Sequence, residues 1–224
     1  NLLSYGANEP IDDELITKLL ACDETDIIEA IKIGIKLKYI KESSQGYTIH
    51  RLLKEVWKIQ EKLEQTFIDS VAKNLANYIY EIKDEFLNLS KIEIANLFSQ
   101  QWINYLQNSD TKAILIAYRA YLDFYKGNYN RALEIVKKAD EIVEKKDSKE
   151  YAEILTYQGR LNSELDNYEN ALIFYEESFK IYKRIYTNQY YHDIATSLNN
   201  LGTVWKNKKD FDKALDFYNQ SFEM

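Results

Sequence analysis

The segment Asp193-Ile194-Ala195-Thr196-Ser197-Leu198-Asn199-Asn200-Leu201-Gly202, followed by Lys209-Asp210-Phe211-Asp212-Lys213-Ala214-Leu215, decides the fold. Its second half has two earlier counterparts, Gly127-Asn128-Tyr129-Asn130-Arg131-Ala132-Leu133 and Asp166-Asn167-Tyr168-Glu169-Asn170-Ala171-Leu172. Each places an aromatic three residues before an Ala-Leu pair, and twelve residues before each alanine stands a small residue: Ala120, Gly159 or Gly202. The alanines recur after 39 and then 43 residues. A small residue on a first helix and an alanine on a second mark where two helices approach closely. A larger side chain at either place would push them apart. The aromatic before the second helix is expected to pack back over the turn. Each hairpin then exposes an apolar face that the next one covers, so the units stack into a solenoid.

The rest of the composition agrees. The chain has 224 residues with one proline and six glycines, which suits long helices and argues against an all-β sandwich or barrel. Hydrophobic residues at 46 % and charged residues at 29 % are ordinary for a globular chain and argue against disorder. The net charge of −7 lacks the basic excess of a general nucleic-acid binder. Cys22 is the only cysteine, so an intrachain disulfide framework and a multi-cysteine zinc site are excluded. The lone thiol suits a reducing, cytoplasmic setting. No apolar run has membrane-spanning length. A first residue Asn1 and a single methionine, Met224, read as a piece excised from a larger protein.

The repeat pattern resembles the tetratricopeptide repeat, with Leu198, Leu201, Gly202, Trp205, Ala214 and Tyr218 at the signature positions of the last copy. The spacing exceeds the usual 34 or so residues. It is similar to the longer repeat of kinesin-light-chain-type arrays, although His192 stands where that subclass commonly has proline. The first copy departs further, with Val136 at an often aromatic site.

Three zones follow along the chain. Residues 1–60 read as helix, helix, hairpin, helix, a winged-helix-like module. In it Leu37-Lys38-Tyr39-Ile40 and Tyr47-Thr48-Ile49-His50 alternate around the turn-like Ser43-Ser44-Gln45-Gly46. Residues 61–110 read as a helical spacer. Its first helix carries Leu63, Phe67, Ile68, Val71, Leu75 and Ile79, and its second Ile94, Leu97, Phe98, Trp102, Ile103 and Leu106, with a break at Asn88 to Ser90. Residues 111–224 hold about three repeat hairpins. The fold class is therefore mainly all-α, with one short β-hairpin.

Tyr47-Thr48-Ile49-His50-Arg51-Leu52-Leu53-Lys54-Glu55-Val56 resembles the end of the winged helix in STAND-class, NB-ARC-like signalling NTPases. The entry segment Tyr5-Gly6-Ala7-Asn8-Glu9-Pro10-Ile11 resembles that family too. The resemblance implies that His50 contacts the ADP phosphate in an upstream NTPase domain and that ADP or ATP belongs to the parent protein. Only the histidine of the family's Met-His-Asp motif transfers, because Ile49 and Arg51 flank it. An imidazole can donate to a phosphate and respond to its charge. This piece has no Gly-x-x-x-x-Gly-Lys-Ser/Thr loop and is expected to bind no nucleotide alone.

No catalytic residues and no metal ligands are assigned. There is no His-Glu-x-x-His, and the two histidines lie far apart. Partner binding is expected on the helix-A face of the repeats, through Tyr121 and Phe124, then Thr156, Arg160 and Ser163, then Asn199, Thr203 and Lys206. The reading is a non-catalytic sensor fragment. Its repeats bind a protein or peptide, and its winged helix couples this to the upstream switch. A plain interaction scaffold is the alternative. A DNA-binding regulator is disfavoured, since the candidate recognition helix Glu24–Lys32 has three acids and one base. The last helix leaves Leu215, Tyr218 and Phe222 without a following hairpin, which reads either as truncation of the array or as a surface through which copies associate.

Overall fold

In a computed structural model of the chain, the described residues are 18, 32, 36, 40–43, 46–49, 65–82, 89–107, 109–186 and 192–223. The chain divides into two compact units, Asn1–Thr111 and Lys112–Met224.

In the first unit, strands β1 (Ile40–Ser43) and β2 (Gly46–Ile49) pair antiparallel in the register Ile40↔Ile49 to Ser43↔Gly46. Ser43 and Gly46, turn-like in the sequence, are paired within the strands. Helices α1 (Gln65–Ile82) and α2 (Leu89–Trp102) pack together, and a 3-10 turn covers Ile103–Tyr105. On α1 the expected stripe of Ile68, Val71, Leu75 and Ile79 is buried. On α2 the buried positions are Ile92, Ala95, Asn96 and Ser99, while Leu97 is only half-buried. Ile103 and Leu106, expected in the same stretch, are buried, and Asn96 and Ser99 add polar residues to the buried side of α2. The winged-helix reading of residues 1–60, His50 and the Glu24–Lys32 helix included, falls almost wholly outside the described residues.

The second unit consists of three helix hairpins. They are α3 (Ser109–Tyr125) with α4 (Tyr129–Ile142), α5 (Lys149–Glu164) with α6 (Tyr168–Ile185), and α7 (His192–Asn207) with α8 (Phe211–Phe222). The mainly all-α class holds.

One turn design joins every pair. Gly127, Asp166 and Lys209 adopt the left-handed conformation, at φ 75°, 58° and 64°. In each turn the left-handed residue donates its N–H three residues back, and the next residue donates five back: Asn128 to Asp123, Asn167 to Asn162, Asp210 to Trp205. These bonds satisfy the last carbonyls of the first helix. The same Asn128, Asn167 and Asp210 begin the second helix, accepting from Ala132, Ala171 and Ala214. One residue thus closes one helix and opens the next, which fixes the distance from the small residue to the alanine.

The small residues have a definite partner. A Cβ built on Gly159 would lie 2.8 Å from the Tyr175 ring, and one on Gly202 would lie 2.7 Å from the Tyr218 ring and 3.2 Å from the Ala214 carbonyl. The close approach is therefore mainly to a tyrosine four residues beyond the alanine. In the first hairpin, Ala120 replaces glycine and Val136 replaces the tyrosine. A methyl on one helix matches the absence of a ring on the other.

Two outcomes follow. Gly159→Ala destabilises by about 1–3 kcal/mol through overpacking. Combining it with Tyr175→Val recovers part of that loss, giving a favourable coupling of about 1 kcal/mol in a urea double-mutant cycle. Lys209→Gly, by contrast, relieves a left-handed side-chain strain and raises stability by about 0.5–1 kcal/mol, read as a higher urea midpoint.

Candidate functional site

Helices α3, α5 and α7, the first helix of each hairpin, lie side by side. The Tyr121 ring of α3 stacks on Tyr157 of α5 at 4.3 Å between centroids, and the Arg160 guanidinium lies 4.1 Å over the Phe124 ring. Between α5 and α7 the adjacency continues. The register of this face repeats with the hairpins, and its exposure rises from the first to the third.

Tyr121 and Phe124 are 3 % and 8 % exposed. These two expected contact residues are interior: Tyr157 and Arg160 of the second hairpin cover them. They support the face and offer it no area. Thr156 is half-buried, and its hydroxyl lies 2.6 Å from that of Ser178 on α6, both within reach of the Ala152 carbonyl. One hydroxyl donates to that carbonyl and the other to its neighbour, so Thr156 is committed to holding α5 on α6. Thr203 is similarly committed. Its hydroxyl donates to the Asn199 carbonyl and accepts from the Tyr218 phenol at 3.2 Å.

Arg160 and Ser163 are half-buried, and Asn199 and Lys206 are exposed. These four offer side-chain surface to a partner. They comprise one cation fixed on an aromatic ring, one hydroxyl, one amide and one exposed ammonium. A guanidinium held by a ring has lost rotamer freedom already, which lowers the ordering cost of a contact.

Hydroxyl ties missed in the sequence hold the face together. Ser178 donates to the Ala152 carbonyl and Ser221 to the Ala195 carbonyl, each at the same place in its hairpin. The signal was present: both serines stand seven residues after the repeat alanine, and alanines 113, 152 and 195 stand seven before the small residue. Buried Glu153 accepts from the Tyr182 phenol at 3.2 Å.

Helix starts and turns carry the local electrostatics. Asp210 caps α8 by accepting from the Lys213 N–H and pairing with its ammonium, and these contacts hold its carboxyl below the usual range. The Lys208 ammonium donates to Glu169 across the second and third hairpins, and that bond, with the backbone donor at Glu169, lowers the Glu169 carboxyl likewise. Burial pushes the Tyr175 phenol well above its ordinary range, with Arg160 opposing and Glu164 adding. Tyr151 is pushed up to about 12, first by burial and then by Asp140 and Glu177. Among the described residues no group of three or more His, Cys, Asp or Glu could hold a metal ion. Among them, too, no helix is long and apolar enough to cross a membrane.

A tetratricopeptide repeat family model matches residues 194–224. The chain contains a tetratricopeptide repeat. Among solved structures it is similar to BtubC (BKLC) from P. vanneervenii, with a TM-score of 0.58 and 19 % identity over 76 % of this chain and 69 % of that one. A looser likeness, TM-score 0.44 and 11 % identity, is to MamA, over 75 % of this chain and 92 % of that one. No curated protein matches. The repeat match and the likeness to BtubC show a tetratricopeptide-like helical fold. Neither comparison supports an origin in a STAND-class NTPase.

Raised tyrosines imply an alkaline limit. Their folded-state values exceed the ordinary 10, so the stability they contribute is whole below pH 10 and is lost as pH rises through about 12. A phenolate absorbance titration should show Tyr151 and Tyr175 ionising after the exposed tyrosines, together with loss of helical circular dichroism.

Proposed function

We propose that the chain is a non-catalytic protein-interaction scaffold whose tetratricopeptide helix-A face holds a protein or peptide. The observation that carries this reading is the layered face itself. Interior Tyr121, Phe124 and Tyr157 form a fixed floor with Arg160 over the Phe124 ring, Ser163 is half-buried on the same helix as Arg160, and Asn199 and Lys206 are exposed on the adjacent α7. A rigid floor with few polar side chains lowers the ordering cost of binding an extended segment. Asn199 can both donate to and accept from a ligand backbone, and Arg160 and Lys206 favour a segment with carboxylates.

The scaffold needs no cofactor. The nucleotide-coupled version adds His50 and an upstream NTPase domain, and its support is the family resemblance of residues 47–56 alone. A photocrosslinking residue at position 199 should trap a defined partner, and the same residue at the exposed position 173 should not. Arg160→Ala and Lys206→Ala together should then weaken the purified partner by roughly tenfold, with unchanged circular dichroism. Equal trapping at both positions, or unchanged affinity, would reject the face as the binding site.

A further inference from the structure

No further inference is drawn: the strongest candidate, the Asn96 side chain buried on α2 with no hydrogen-bond partner among the described residues, carries nothing, because nothing in the structure shows what its amide would hold.

Discussion

The contact between a glycine on one helix and a tyrosine ring on the next governs the three-hairpin unit. At Gly159 and Gly202 no side chain fits, since the ring already fills the space of a Cβ. The ring can lie flat there because the turn brings the two helices together at one fixed offset. It also reaches past the contact: Tyr175 joins the cluster that receives α7. One interaction therefore sets both the closeness within a hairpin and the surface on which the next hairpin rests. The Ala120 and Val136 combination keeps the same separation with a methyl in place of a ring.

Hydroxyl groups supplement this packing where helices run close. Ser178 and Ser221 tie the far ends of their hairpins to backbone carbonyls of the first helix. A hydroxyl bonded to a helical carbonyl removes no backbone bond and satisfies a buried polar atom. The cost falls on the face, since Thr156 and Thr203 are drawn into the same ties. What remains for a partner is a narrower set of side chains than the repeat register suggests.

Much of the architecture was legible because it is periodic. Three copies of one pattern gave the hairpins and the positions of the small residues. The identity of the glycine's partner was not legible, because an alanine in the pattern looked sufficient and the tyrosine four residues later read only as signature. Phe211 was expected to fold over its turn like Tyr129, whose ring meets Phe124 at 5.4 Å. It stays exposed, because the aromatic at this place rests on the following hairpin, as Tyr168 does. Burial of Tyr121 and Phe124 was hidden for a related reason: register says which way a side chain points, and only the neighbouring helix decides what covers it. The burial of Asn96 and Ser99 on α2 was not legible, because no hydropathy pattern marks a polar residue as interior.

The shared turn has a consequence for how the chain can change length. The small residue and the alanine stand twelve apart in every copy, whereas the alanines are 39 and then 43 residues apart. The four extra residues therefore lie outside the turns, in the second helix itself: α4 has 14 residues and α6 has 18, whereas the stretches from Ile142 to Gly159 and from Ile185 to Gly202 are equally long. Within a turn, one residue closes a helix and opens another, so an insertion there would shift the glycine off its ring. The far end of the second helix carries no such double duty. Growth and loss of sequence are thus channelled away from the turn, and the glycine keeps its ring whatever the length of the helix beyond it.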